Sequence, residues 1–231
     1  MINFLSSRSI YDQVPFKEEV LKYLKPEMKV AILGFSFFDS FNKEKYLSEY
    51  DYGMPYDLKM KEMFLNLGIK SYTWIHYHVD SKDDAIKKIK EADIIYFPGG
   101  APDLMMIRIY EYGLEEVLKD QNKIYMGSSA GAMIQKDIFH ISPDNEYHKF
   151  MIVEGLGLLS GFHFDVHYRR RNKQKSAIKK VHRNTKEDIY GIMDDGMMII
   201  DNNKIKLVGN AFKLYDKKGV IKKWEIKLKV I

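Results

Sequence analysis

Short apolar runs alternate with segments of helical spacing along the first half of the chain. The runs predict buried strands, because a strand covered on both faces needs few polar positions; they lie at 30–38, 71–77, 92–97 and 123–126. Apolar residues at helical spacing predict amphipathic helices at 52–67, 83–91 and 104–119. Strands and helices that alternate in this way form a parallel sheet with helices on both faces.

The last third of the chain has a different pattern, in which short strand candidates follow one another closely. The candidates are 162–168, 189–193, 197–201, 205–208 and 221–230, and a basic helix is predicted at 170–183. Turn-forming pairs at 202–203 and 218–219 favour antiparallel hairpins. We expect one α/β domain over residues 1–231, with a mostly parallel central sheet flanked by helices and an antiparallel C-terminal extension.

Composition excludes several classes of protein. Of the 231 residues, 45% are hydrophobic and 30% are charged, which is typical of a globular chain. Cysteine is absent, so disulfides, thiolate metal sites and a cysteine nucleophile are excluded. The net charge is +5 and the basic residues are scattered along the chain, so no nucleic-acid partner is expected.

No apolar run approaches the ~20 residues of a membrane helix, and the N-terminus lacks a signal-peptide pattern. A cytoplasmic location without membrane contact is expected.

The segment 123–135, KIYMGSSAGAMIQ, carries the strongest chemical signal. Its residues 127–131 form a G-x-S-x-G pattern between a predicted strand and the apolar start of a helix. A nucleophile on such a sharp turn has a strained backbone and leaves no room for side chains two residues away, which favours glycine there. We predict that Ser129 is the nucleophile and that the N–H of Ala130 is an oxyanion donor.

A second glycine turn, Pro-Gly-Gly at 98–100, ends the predicted strand at 92–97. In a parallel sheet this turn and the serine turn lie at the same carboxyl edge, where ligands bind. We therefore predict that the N–H of Gly100 is the second oxyanion donor. A tight strand-to-helix turn without chemistry fits the same residues, and the two interpretations are compatible.

The order strand, FPGG, helix, strand, GSSAGA resembles the S51 serine peptidases, the family of dipeptidase E and cyanophycinase. The resemblance extends from about Val30 to about Val208 and is most specific in GSSAGA. It implies a fold similar to that of the class I glutamine amidotransferases, with serine in place of their cysteine. It also implies a serine peptidase that requires neither a metal nor an organic cofactor.

The general base is expected among seven histidines, because imidazole has the appropriate pKa for taking the serine proton. They are His76, His78, His140, His148, His163, His167 and His182. The family's catalytic histidine stands at a strand end before an aromatic residue and a basic stretch, which resembles DVHYR at 165–169. The resemblance therefore implies that His167 is the base, with His163 as the runner-up.

Two aspartates compete for the acid that orients the base. Asp144 lies where dipeptidase E has an aspartate assigned to its charge relay. Asp194, in GIMDDG, lies where related members have a Glu or an Asp, and Asp195 is adjacent to it. The preference is for Asp144, with Asp194 as the alternative, although both strings are also ordinary turn sequences.

The resemblance implies a peptide substrate with an acidic first residue, either an aspartyl dipeptide or a β-aspartyl linkage. A guanidinium can bind a carboxylate through two hydrogen bonds, and Arg169, Arg170 and Arg171 follow the predicted base directly. The family's spacing favours Arg171 for this role, followed by Arg170. One departure from the family is Ala101, where relatives often have Asn, Asp or Gln.

Two other functions belong to different classes. A catalytically silent amidotransferase-like domain would bind a metabolite or a partner protein, but the presence of the nucleophile, the histidine and the acids argues against it. A nucleic-acid binder would use the basic residues 169–183 and show steep salt dependence. A homodimer is possible, and the sequence does not locate its interface.

Overall fold

The computed structural model describes residues 1–120 and 122–221, which form a mixed sheet between helices, with a small separate hairpin. The strands are β1 (Ile2–Ser6), β2 (Lys29–Gly34), β3 (Ser71–His76), β4 (Ile94–Phe97), β5 (Ile124–Ser128), β6 (Ile138–Ile141), β7 (Met151–Glu154), β8 (Phe162–Asp165), β9 (Asp188–Asp201), β10 (Lys204–Asp216) and β11 (Gly219–Val220). The helices are α1 (Phe16–Val20), α2 (Lys43–Tyr50), α3 (Pro55–Asn66), α4 (Lys82–Glu91), α5 (Pro102–Tyr112), α6 (Ala130–Met133) and α7 (Asn172–Thr185).

The strand order in the large sheet is β11-β10-β9-β1-β5-β4-β2-β3, and β8 also pairs with β9. The five strands from β1 to β3 along this path run parallel to one another. β9 is antiparallel to β1, and β10 and β11 continue the antiparallel extension. The predicted fold class, a mostly parallel α/β sheet with an antiparallel C-terminal part, is therefore confirmed.

Helices cover both faces of the sheet. Neighbouring residues of a strand point to opposite faces, so both of them are buried here. Phe4 of β1 belongs to an apolar cluster with Phe64 of α3. Leu5, the next residue, belongs to the opposite cluster with Met105 of α5. This two-sided burial explains why the predicted strands read as continuous apolar runs.

β1 lies in the centre of the sheet, between β5 and β9, and the sequence pattern does not predict it. Its five residues include two buried polar side chains, Asn3 and Ser6, which interrupt the apolar run. The Asn3 amide donates to Oε1 of Gln135 over 3.0 Å, so its burial is compensated by a hydrogen bond. A strand of this length with polar positions has too weak a pattern to be recognised.

Several boundaries differ from the prediction. β2 ends at Gly34 and not at 38, β8 ends at Asp165 and not at 168, and β10 continues to Asp216 and does not end at 208. The predicted helix at 104–119 ends at Tyr112, because Gly113 has a left-handed φ of 57° that caps the helix. The two predicted strands at 189–193 and 197–201 are one strand, β9. The predicted strand at 221–230 lies, except for its first residue, outside the described residues. No helix in the described part is both long and apolar enough to span a membrane.

Candidate active site

Ser129 lies on the turn between β5 and α6, at the carboxyl edge of the parallel strands. Its backbone has φ 52° and ψ −115°, a conformation that a residue with a side chain rarely adopts. Its N–H donates to the carbonyl of Ser6 at the end of β1 over 2.9 Å, which holds the turn against the sheet. The side chain faces a cavity of about 510 Å³.

Glycine is required on both sides of Ser129 because the turn is tightly enclosed. A Cβ on Gly127 would lie 2.1 Å from the carbonyl oxygen of Gly131, and a Cβ on Gly131 would lie 1.9 Å from that of Phe97. Both distances are far below van der Waals contact, and the obstructing atoms are backbone. The steric reason for the two glycines of G-x-S-x-G therefore holds in this fold.

His167 connects the serine to an acid through its two ring nitrogens. Nε2 lies 3.0 Å from Oγ of Ser129, and Nδ1 lies 2.6 Å from Oδ1 of Asp194. A carboxylate can only accept a hydrogen bond, so it fixes the proton on Nδ1 and leaves Nε2 free to accept the serine proton. This geometry is typical of the Ser-His-Asp arrangement of serine hydrolases.

The path of β9 explains how Asp194 reaches the histidine. The first part of β9 pairs with β8 and the last part with β1, and Asp194 lies in the segment between the two pairings. His167 follows the end of β8 after one residue, and the N–H of Tyr168 donates to the carbonyl of Ile192 over 2.9 Å. The polar MDDG string at 193–196 interrupts the apolar strand pattern where Asp194 contacts the imidazole.

Asp144 does not occupy the position for which the sequence favoured it. Its Oδ1 accepts the backbone N–H groups of Glu146 and Tyr147 over 3.0 and 2.7 Å in the loop between β6 and β7. The structure thus places the alternative, Asp194, beside the imidazole, while Asp144 stabilises a turn at the cavity wall. The carboxylate of Asp195 is also engaged elsewhere, by the amide of Asn210 at 2.6 Å.

Two arginines hold the second oxygen of Asp194. Arg169 donates to Oδ2 over 2.7 Å and Arg8 over 3.1 Å. Burial acts to raise the pKa of Asp194, but hydrogen bonds from His167, Arg169 and Arg8 outweigh it and hold the pKa well below its usual range. Because the pKa of Asp194 is lower in the folded chain than in the unfolded chain, where it is ~3.9, the ionised carboxylate stabilises the fold at any pH above ~3.9. This stabilisation is lost as the pH falls through the pKa of the folded chain.

Sequence reasoning missed Arg8, and no local signal could have found it. Arg8 follows β1, the strand that the sequence pattern does not reveal, and reaches Asp194 only because β1 and β9 are neighbours. Arg169 was named only as part of the basic run after His167. In the structure its guanidinium instead binds the carboxylate of Asp194.

The two predicted oxyanion donors, Gly100 and Ala130, both line the cavity beside Ser129. Within residues 1–120 and 122–221, neither backbone N–H donates to a protein acceptor. Gly100 has φ 144°, and a Cβ there would lie 1.9 Å from the carbonyl oxygen of Ser36. The N–H of Ala101 donates to that same carbonyl over 2.5 Å, which fixes the glycine turn.

The structure separates the two arginines that the sequence proposed for substrate binding. Arg171 lines the cavity together with Lys173. Arg170 is absent from the cavity lining, and its guanidinium lies 5.7 Å from the ring centre of Phe212. The expectation for Arg170 is therefore not supported by its placement, whereas Arg171 lies where a substrate carboxylate could meet it.

The runner-up histidine lies elsewhere. His163 is buried in β8, and its Nε2 is 3.1 Å from Oε2 of Glu187. Burial, assisted by Lys136, lowers the pKa of His163 to about 4. In the described part of the chain, no group of three or more histidine or acidic side chains is placed to hold a metal ion.

Comparison with known proteins agrees with this fold. The model of peptidase family S51 matches residues 49–208. A protein described as a peptidase E from Listeria monocytogenes EGD-e superposes with a TM-score of 0.64 at 19% identity, covering 90% of this chain and 98% of the other. A peptidase from an acI-B1 Actinobacterium superposes with a TM-score of 0.55 at 18% identity, covering 92% of this chain and 90% of the other. No curated protein matches the chain in sequence.

The fold and the serine turn define an α/β enzyme of the serine peptidase class. The family match spans most of the chain and includes Ser129, His167 and Asp194. The chain belongs to peptidase family S51. The resemblance that the sequence suggested is thereby confirmed, although the match begins at residue 49 and so leaves out Arg8.

Proposed function

We propose that the chain hydrolyses dipeptides with an N-terminal aspartyl residue, with Ser129, His167 and Asp194 as its catalytic triad. One observation carries the triad: an unbroken hydrogen-bond chain runs from the serine hydroxyl through both imidazole nitrogens to the carboxylate. The substrate class rests on the family and on the charges of the cavity.

The acylation step follows from the positions of these groups. Oγ of Ser129 attacks the peptide carbonyl carbon while Nε2 of His167 takes the hydroxyl proton. The N–H groups of Gly100 and Ala130 stabilise the negative charge that develops on the carbonyl oxygen. When the C–N bond breaks, His167 gives its proton to the leaving amine, and the aspartyl residue remains as an ester on Ser129.

Deacylation repeats these roles with water as the nucleophile. His167 removes a proton from a water molecule as its oxygen attacks the ester carbonyl. The ester C–O bond then breaks, and His167 returns the proton to Oγ of Ser129. Asp194 keeps its negative charge throughout and stabilises the imidazolium that forms in each half of the reaction.

Charged groups of both signs in the cavity suit a zwitterionic peptide with an acidic side chain. Arg171 and Lys173 can bind carboxylates. Asp165 lines the same cavity and is only 4% exposed. Its Oδ1 accepts from Oγ of Ser142 over 3.1 Å, whereas its buried Oδ2 has no hydrogen-bond partner among the described residues. Asp165 therefore supplies negative charge beside the cavity, which attracts the substrate's α-ammonium group.

A panel of dipeptides tests the proposed substrate class. Asp-Leu, β-Asp-Leu, β-Asp-Arg, Glu-Leu and Ala-Leu are incubated with the protein, and the free amino acids are quantified. We expect cleavage of aspartyl substrates and little cleavage of Ala-Leu, because only the former place a side-chain carboxylate near the cavity cations. Equal cleavage of Ala-Leu would contradict the acidic preference.

The adjacent arginines provide a matched test of carboxylate recognition. Replacing Arg171 with glutamine is expected to raise KM for Asp-Leu by about tenfold, since one charge-assisted hydrogen bond is lost. Arg170→Gln removes the same charge from a side chain directed toward Phe212, and we expect it to leave KM nearly unchanged. Similar KM values for both variants would rule out Arg171 as the carboxylate ligand.

A further inference from the structure

The backbone of His167 is held in an uncommon conformation. Its φ is 49°, in the left-handed region that non-glycine residues rarely occupy. The conformation persists only where surrounding groups fix it. In this chain it directs the imidazole toward Ser129 and Asp194 at once, so whatever holds the backbone also sets the geometry of the base.

One side chain binds this segment on two sides. Gln174 lies in the first turn of α7 and is 9% exposed. Its Nε2 donates to the carbonyl of His167 over 3.0 Å, and its Oε1 accepts the N–H of Arg169 over 2.9 Å and, more weakly, that of Arg171 over 3.4 Å. A single carboxamide thus connects the backbone of the base to the backbone of Arg169, one of the two arginines that bind Asp194.

Ser7 completes the support from the opposite direction. Its Oγ accepts the N–H of His167 over 2.8 Å and donates to the carbonyl of Ile192 over 2.9 Å. Both backbone polar groups of His167 are therefore bound by buried side chains. The Ser7 contact joins the segment to β9, and the Gln174 contact joins it to α7.

We propose that Gln174 is a positioning residue for the general base, a role that rests on the proposed function of His167. The carboxamide uses its donor for the His167 carbonyl and its acceptor for the Arg169 N–H. Neither a carboxylate nor an apolar side chain can make both bonds. Loss of the donor lets the left-handed turn relax and moves the imidazole away from the line between Ser129 and Asp194.

Three variants separate this role from general packing. Gln174→Met keeps an unbranched side chain and removes both hydrogen bonds, and Gln174→Glu keeps the acceptor but loses the donor. Lys175→Met is the control, since it places the same side chain on the exposed neighbouring position of α7. Asp-Leu hydrolysis is measured as separate kcat and KM values, and thermal unfolding of each variant is followed in parallel.

We expect kcat to fall by about 10- to 100-fold in both Gln174 variants, because a small displacement of a catalytic group has effects of this size. KM should change little, and Lys175→Met should behave like the wild type. The proton NMR signal of the His167 Nδ1–H, identified by its absence in Asp194→Asn, should shift or broaden in the Gln174 variants alone.

Unchanged kcat and an unchanged Nδ1–H signal in both Gln174 variants would overturn the positioning role. A rise in KM alone would also overturn it, because that result assigns Gln174 to direct substrate contact. If Gln174→Met unfolds at a lower temperature than the wild type, the kcat of Gln174→Glu and the Nδ1–H signal test the positioning role in its place. Absence of hydrolysis by the wild type would instead count against the proposed function, and the NMR comparison still tests Gln174 in that case.

Discussion

Replacing Asp194 with asparagine is expected to lower kcat for Asp-Leu hydrolysis by about 10⁴-fold, the effect of the same change in other serine hydrolases. An asparagine cannot stabilise the imidazolium with a negative charge. Its amide can also donate to Nδ1, which places the imidazole proton on Nε2, where it blocks acceptance of the serine proton. Release of free aspartate over time measures the effect.

Asp144→Asn is the matched control, since it makes the same chemical change in the acid that the sequence favoured. The asparagine Oδ1 can still accept the backbone N–H groups of Glu146 and Tyr147, so the turn persists. We expect most of the wild-type kcat to remain. A large loss in Asp144→Asn together with an active Asp194→Asn would reverse the assignment of the two acids.

Arg8 and Arg169 require a stability control in the Asp194 experiment. Asparagine leaves both guanidinium groups without their carboxylate, although both side chains are about half exposed and remain solvated. Surface ion pairs of this kind contribute ~1 kcal/mol or less. The depressed pKa of Asp194 also contributes stability that the asparagine loses, so kcat is measured at a temperature where thermal unfolding shows Asp194→Asn to be fully folded, and its loss then reports on chemistry.

Ser129→Ala is expected to reduce hydrolysis by about 10⁴- to 10⁶-fold, because among the described residues no other hydroxyl lies within hydrogen-bond distance of Nε2 of His167. The alanine side chain is smaller and needs no hydrogen bond, so the fold should persist. Loss of the nucleophile leaves only the oxyanion donors and substrate binding, which provide a small residual acceleration.

The neighbouring serine offers a matched control. Ser128 is buried, and its Oγ lies 3.0 Å from the hydroxyl of Tyr96 and 3.4 Å from that of Ser9. Ser128→Ala should cost about 1 kcal/mol of stability through these hydrogen bonds and should leave catalysis largely intact. If Ser128→Ala abolished hydrolysis while Ser129→Ala did not, the assigned nucleophile would be wrong.

The sequence predicted the parallel half of the sheet well because its strands are buried on both faces. Continuous apolar runs identified β2, β4 and β5. The nucleophile turn was equally clear, since the steric need for two glycines leaves a pattern in the sequence.

The acid could not be chosen from the sequence because its position depends on long-range pairing. Asp194 stands beside His167 only because β9 changes partner from β8 to β1 around it. Both Asp144 and Asp194 lie in strings with ordinary turn chemistry, so local pattern gave no basis for preferring one. The resemblance favoured Asp144, and the structure places Asp194 at the imidazole.

The residues that hold the His167 segment in place could not be predicted from the sequence for a related reason. Arg8 and Ser7 follow β1, which the hydrophobic pattern did not reveal, and Gln174 is one of many polar residues in a basic helix. Each becomes informative only when the fold brings it to the His167 segment. Residues that hold a catalytic group through the backbone leave no spacing pattern in the sequence.

Release of free aspartate from Asp-Leu by the wild type, with Ser129→Ala as the background, tests the proposed aspartyl-dipeptidase function most directly. We expect steady release by the wild type and release at the uncatalysed rate by the variant. Equal release by both proteins would exclude Ser129 as the nucleophile. If the wild type released no aspartate from Asp-Leu but did release alanine from Ala-Leu, the peptidase would act on substrates without an acidic first residue.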